Sequence, residues 1–188
     1  MKKAEEMPGN ALGLLELKSG QLRRIERVKS FQVPEDGAGY IAILHEGTGS
    51  GEAGKPSAKG SREYGSELVL HHLVTSQEQK FPEVVEYSFT KNAGTLVFSV
   101  SARDESKNGV FAVTPGSERV PLLTGRGRYN KISWDEEQTQ LAFISDREEA
   151  GTSQPGFRLY HWHRTENTAR EIVSAAAAGM PSGQTISD

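Results

Sequence analysis

The chain has 188 residues with 22 basic against 25 acidic side chains, a net charge of −3, and 35% hydrophobic residues; this suits one ordinary globular core and leaves no broad electropositive surface for nucleic acid or anionic lipid. It contains no cysteine, which excludes disulfide staples, thiolate zinc sites and a cysteine nucleophile, and is compatible with reducing and oxidising compartments alike. No stretch approaches the roughly 20 apolar residues of a membrane-spanning helix, and the basic start at Lys2 and Lys3 is not followed by the apolar run of a secretory leader. Neither a nucleic-acid nor a membrane partner is expected.

In chain order, Leu14-Leu15-Glu16-Leu17, a Lys18-Ser19-Gly20 turn and the apolar alternation of residues 22–28 predict a β-hairpin. A pattern then recurs three times. An aromatic or β-branched stretch runs into a polar turn, and a second apolar alternation follows. The first copy is Phe31-Gln32-Val33, a turn over residues 34–39, and Tyr40-Ile41-Ala42-Ile43-Leu44. The second is Tyr87-Ser88-Phe89, a turn over 90–95, and Leu96-Val97-Phe98-Ser99-Val100. The third is Ile132-Ser133-Trp134, a turn over 135–140, and Leu141-Ala142-Phe143-Ile144-Ser145. In copies two and three the interval from Phe89 to Leu96 equals that from Trp134 to Leu141, seven residues; in copy one Val33 to Ile41 is eight. Period-2 alternation rich in β-branched and aromatic residues predicts strands rather than helices.

Each copy continues into a second hairpin. Its first strand is expected over residues 67–73, 109–113 and 157–162, and its shorter second strand over 81–85, 120–123 and 171–173, with turn-rich segments between. Four short antiparallel strands per repeat result. Phe89 to Trp134 spans 45 residues and Val33 to Phe89 spans 56, the excess falling in a Gly/Ser-rich insertion at 47–65. A four-stranded unit of roughly 40 to 50 residues is the length of one β-propeller blade, and stacking such units buries faces that none can bury alone. A β-sandwich uses short strands too, but has no reason to repeat its apolar signature at this period. The expected fold is all-β: an incomplete β-propeller of about three four-stranded antiparallel blades. Residues 1–28 read as the outer hairpin of a preceding blade, 29–85, 86–128 and 129–174 as the three blades, and 175–188 as a linker toward a missing one.

Three stretches, Val84-Val85-Glu86-Tyr87-Ser88-Phe89 with Phe98, then Leu122-Leu123-Thr124-Gly125-Arg126-Gly127-Arg128-Tyr129, then Leu141-Ala142-Phe143-Ile144-Ser145-Asp146-Arg147, resemble the N-terminal propeller of prolyl oligopeptidase-family (dipeptidyl aminopeptidase-like) serine peptidases. Gly179-Met180-Pro181-Ser182-Gly183 extends the likeness, which runs from about Gly20 to the end. The family's usual Ser-Pro-Asp-Gly blade turn is replaced here by Thr90-Lys91-Asn92-Ala93-Gly94 and Asp135-Glu136-Glu137-Gln138-Thr139. The resemblance implies a propeller segment that filters or orients peptide substrates for an α/β-hydrolase domain carrying the catalytic serine, aspartate and histidine. The partners it implies are that domain and the missing blades.

The chain itself has no Gly-x-Ser-x-Gly nucleophile elbow. The nearest stretch, Gly151-Thr152-Ser153-Gln154-Pro155, lacks the last glycine and sits in a polar loop, so no catalytic residue is assigned. Gly49-Ser50-Gly51-Glu52-Ala53-Gly54-Lys55 matches part of a phosphate-binding loop, but Pro56 stands where the metal-binding hydroxyl belongs and no helix pattern follows; no cofactor is assigned. His161 and His163 share one strand face about 7 Å apart, without a third ligand at suitable spacing, and Trp162 points the other way into sheet packing; no metal is assigned. Ser101-Ala102-Arg103-Asp104 and Ser145-Asp146-Arg147 close equivalent second strands, where carboxylate and guanidinium can pair or bond loop amides. Arg103 and Arg147 are the candidate substrate-cavity contacts, recognising a peptide carboxylate bidentately if they face the cavity. The alternative to a peptidase segment is a stand-alone propeller-like scaffold that binds a protein or peptide through loops such as 47–65.

Overall fold

The computed structural model describes residues 10–37, 39–47, 63–152, 155–181 and 183–186. They form thirteen strands and two single 3-10 turns, Glu105–Lys107 and Arg147–Glu149, with no α-helix among them. The hairpin is β1 (Ala11–Leu15) and β2 (Leu22–Glu26). Next come β3 (Val28–Gln32), β4 (Tyr40–His45), β5 (Ser66–His72), the twelve-residue β6 (Glu78–Phe89), β7 (Leu96–Val100), β8 (Gly109–Val113) and β9 (Val120–Thr124). The series ends with β10 (Tyr129–Trp134), β11 (Gln140–Ser145), β12 (Arg158–His163) and β13 (Arg170–Val173).

Among the described residues every strand pairing is antiparallel and between chain neighbours, giving a two-stranded sheet β1-β2, a seven-stranded sheet β3 to β9 and a four-stranded sheet β10 to β13, with a lone bridge from Phe157 to Ile186. The seven-stranded sheet holds two repeats joined through β6. The first half of β6 pairs with β5 (Leu68 with Phe81, His71 with Glu78) and the second half with β7 (Glu86 with Ser99, Phe89 with Leu96). Sequence alternation predicts two separate strands here, at 81–85 and 87–89. They fuse because the chain turns its corner at Glu83, whose φ of 59° makes a bulge rather than a break; a bulge re-aims a strand while keeping the ladder running. Units β3–β6, β6–β9 and β10–β13 are therefore four-stranded antiparallel blades, and the chain is an incomplete β-propeller.

Alternation then decides which face goes where. On β4, Ala42 and Leu44 face the second blade while Ile41 and Ile43 face the hairpin; on β7, Leu96, Phe98 and Val100 face the first blade and Val97 the third. The first junction buries Leu44, Leu68, Leu70 and Phe81 against Phe89, Phe98 and Phe111, with Phe98 fully buried and 4.7 Å from Phe81, centroid to centroid. The second buries Val97, Val110 and Leu122 against Tyr129, Leu141, Phe143, Tyr160 and Trp162. Both are ordinary sheet-on-sheet cores.

The turns between first and second strands are satisfied by their own side chains. Thr90 Oγ1 accepts the N–H of Thr95 at 2.9 Å and donates to Asn92 Oδ1, which also accepts the Gly94 N–H. In the next blade Asp135 Oδ1 accepts the N–H groups of Thr139 and Gln140 at 2.8 and 3.0 Å, which holds its carboxyl below the ordinary aspartate range. These turns also bond from blade to blade: Asp36 donates its N–H to the Lys91 carbonyl, and Lys91 donates its N–H to Gln138 Oε1.

Candidate functional site

In an up-and-down blade the loop from second to third strand and the connection to the next blade fall at the same end. Here that end gathers Glu63–Gly65 before β5, the corner at Glu83, residues 101–108, 125–128, 146–152 and 155–157. Between the second and third blades it opens a cleft of about 570 Å³ lined by, among others, Glu63, Ser101, Glu105, Arg128, Asn130 and Asp146.

Asp146 organises the cleft. Its side chain is 4% exposed and accepts both the backbone N–H of Arg128 at 2.6 Å and the Arg128 Nε at 2.8 Å. The guanidinium lies 4.8 Å from the centroid of the Phe157 ring, itself buried. A buried carboxylate needs such donors, since burial without them costs several kcal/mol. Gly127 makes the approach possible: its φ is 127°, and a Cβ there would fall 2.7 Å from the Arg147 Cα and 2.9 Å from Asp146 Oδ1. On the other side of the cleft Asn108, fully buried, accepts from the Ala102 N–H and donates to the Gly127 carbonyl. Tyr129 donates to the Gly125 carbonyl at 2.9 Å, and burial pushes its phenol up.

Ser101 ties the loop before β5 to the second blade: its hydroxyl donates to the Glu63 carbonyl and its own carbonyl accepts the Gly65 N–H. Gly65 sits so close to Glu83 that a Cβ would meet that backbone at 2.0 Å. Glu63 in turn pairs with Lys29 on the innermost strand at 2.8 Å. Deeper between the blades Glu86 Oε1 accepts the Ile132 N–H at 3.0 Å. Lys131, with φ of 61°, and the register shift between Asn130 and Ser133 take that N–H out of the β10–β11 ladder. Burial raises the Glu86 carboxyl, partly offset by the backbone donors and by Lys131.

The two sequence-predicted arginines do not meet here. The ladder pairs Val84 with Val100 and Tyr129 with Ser145, so Ser101 is the structural counterpart of Asp146, and Arg103 and Arg147 are not equivalent. Arg103 lies over the Tyr64 ring at 5.5 Å, while Arg147 pairs with Glu148 at 2.8 Å and donates to the Thr124 carbonyl; neither lines the cleft. At this strand end a carboxylate does bond a loop amide and pair with a guanidinium, as expected there, through Asp146 and Arg128. The 45-residue offset between repeats is the signal that identifies its place, and the burial of Asn108 and Glu86 has no comparable signal. His161 and His163 do share a face, bonding Gln140 and Thr165 respectively, and Trp162 points inward with its Nε1 donating to the Glu166 carbonyl. The phosphate-loop stretch Gly49 to Lys55 lies wholly outside the described residues, as do Ser153 and Gln154.

No protein-family model matches the chain, and no curated protein matches it. Among solved structures it is similar to the β-propeller domain of the Trilobed protease from Pyrococcus furiosus, with a TM-score of 0.49 and 7% identity over 76% of this chain and 41% of that one. The chain thus spans well under half the length of that structure. A likeness of this size adds nothing to what the sheets themselves establish.

Proposed function

We propose that this chain is a non-catalytic propeller segment of a serine peptidase, orienting or gating peptide substrate for a hydrolase domain carried elsewhere. The observation that supports it is the run of peptidase-like segments: they fall on β6, on the outer strand β9 with the 125–128 connection, and on β11 with its end, and Val85, Arg128, Tyr129 and Asp146 among them line the loop-end cleft. The mechanism is geometric. Stacked blades form a wall, and the cleft is lined by Asn130 and by Arg128, which buried Asp146 holds in place, polar groups that can hold an extended peptide backbone. On this reading residues 1–28 give the outer hairpin of a preceding blade and 175–188 lead toward a following one.

The test combines activity with binding. The chain is expected to release no p-nitroaniline from peptide p-nitroanilides, yet to shift the amide resonances of Gly127, Asn130 and Asp146 when unlabelled peptides are titrated in. Turnover abolished by a serine-directed phosphonate would overturn the non-catalytic assignment, and unmoved cleft resonances at millimolar peptide would remove the substrate role. The stand-alone scaffold reading leaned on loop 47–65, of which 48–62 lie outside the described residues.

A further inference from the structure

Side-chain amides serve in this chain as clamps on the backbone of a neighbouring blade. Gln32, at the end of β3, donates from Nε2 to the Phe89 carbonyl at 3.0 Å and accepts the Phe89 N–H on Oε1 at 2.9 Å, so one carboxamide takes both main-chain groups of one residue. Gln79 repeats the device on the outer side: its Oε1 accepts the Gly116 N–H and its Nε2 donates to the Ser117 carbonyl, both at 2.9 Å. A third carboxamide, half-buried Asn130, lines the cleft between the second and third blades. Its side chain makes no hydrogen bond among the described residues, whereas Glu63, Ser101, Glu105, Arg128 and Asp146 around the same cleft all have partners within the chain. The residue is also firmly placed. Two positions before it Asp146 holds the Arg128 N–H, two positions after it Glu86 holds the Ile132 N–H, and Asn130 itself is in register with Ile144.

We propose that Asn130 is a clamp of the same kind whose target is one residue of a peptide lying extended in the cleft: its amide accepts that residue's N–H and donates to its carbonyl. The proposal rests on the peptidase reading and adds a specificity to it. In an extended chain the N–H and C=O of one residue point to the same side, which is the arrangement Gln32 already grips on Phe89. Such a grip ignores the side chain of the residue it holds but requires the N–H. Proline has no N–H, and its ring stands in that place, so the clamped position takes any residue except proline. Because Asn130 is fixed before the peptide arrives, little of its freedom is lost on binding.

The test titrates the full chain with the peptide acetyl-Lys-Ala-Val-Ala-Phe-Ala-Lys-amide and with derivatives that each carry one N-methyl group, following the Gly127 amide resonance. On the wild type, methylation at one position is expected to weaken binding on the order of tenfold, and proline at that position should do the same. Asn130→Ala should weaken the parent peptide by a similar factor and bind the sensitive derivative no worse than the parent, because the bond the methyl group interrupts is already gone. Asn130→Asp keeps an acceptor for the N–H and should stay sensitive to the methyl group. Full affinity in Asn130→Ala, or N-methyl derivatives that all bind the wild type like the parent, would overturn the clamp and leave the cleft as the peptide site. A parent peptide that moves no cleft resonance at millimolar concentration would remove the clamp together with the reading beneath it.

Discussion

The two blade junctions hide comparable apolar faces but are fastened differently. Between the first and second blades the backbone runs through: β6 belongs to both, and the core is aliphatic with phenylalanine. Polar bonds cross here too: the Gln32 amide bonds both the N–H and the carbonyl of Phe89, Asp36 bonds Lys91, Ser101 bonds Glu63 and Gly65, and Gln79 bonds Gly116 and Ser117. Between the second and third blades the sheets are separate and the fastening is polar. Glu86 holds Ile132, Arg147 donates to the Thr124 carbonyl, Ala169 donates to the Leu122 carbonyl, and Arg164 donates to Thr95 Oγ1. Its core residues Tyr129, Tyr160 and Trp162 carry polar tips. At the first junction these bonds supplement a ladder that already fixes register, whereas two sheets that only touch have directional bonds alone to fix theirs. The second junction accordingly depends more on its polar contacts.

The strongest challenge to this contrast is Phe98→Ala, which empties the centre of the first junction and should lower unfolding free energy by about 3–5 kcal/mol in urea denaturation. A loss under 1 kcal/mol would mean the aromatic cluster is not the fastening. Asp146→Ala strips the Arg128 N–H and guanidinium of their acceptor where the connection from the second blade enters the third; about 2 kcal/mol is expected, with exchange quickened in β10 but not in β4. Equal quickening in both would erase the distinction. Thr90→Ala removes a buried hydroxyl that bonds within a single turn, for about 1 kcal/mol, and should leave both junctions alike in melting experiments.

Glu86→Gln gives the smallest shift and is read as a slope. The folded-state carboxyl is raised above its ordinary value, so its contribution is fully present below about pH 4.5 and is lost as pH rises through the raised value. Glutamine keeps an acceptor for Ile132 and carries no charge to bury. The variant should match the wild type in acid and melt higher toward neutral pH. A wild-type advantage that grows with pH would reverse the account of Glu86.

Much of this architecture is legible in the chain because period-2 alternation survives in every blade. Leu96–Val100 and Gly109–Val113 fall where the pattern puts them, and Trp162 turns inward as its alternation with His161 and His163 requires. Two things escape. Whether β6 is one strand or two depends on the conformation of Glu83, and a residue at positive φ that is not glycine leaves no mark in composition. The cleft escapes for a different reason: Asp146 and Arg128 lie 18 residues apart, and only the folded connection between blades brings them together. Arg103 and Arg147, singled out for their place at the ends of second strands, are found against Tyr64 and against Glu148 and Thr124.

The shared strand has a mechanical corollary. Pulled from its ends, the chain can shed the third blade by breaking side-chain contacts, but it cannot detach the first blade from the second without unzipping a strand that both require. Force spectroscopy should record a small early release of length followed by one larger step for the remaining pair.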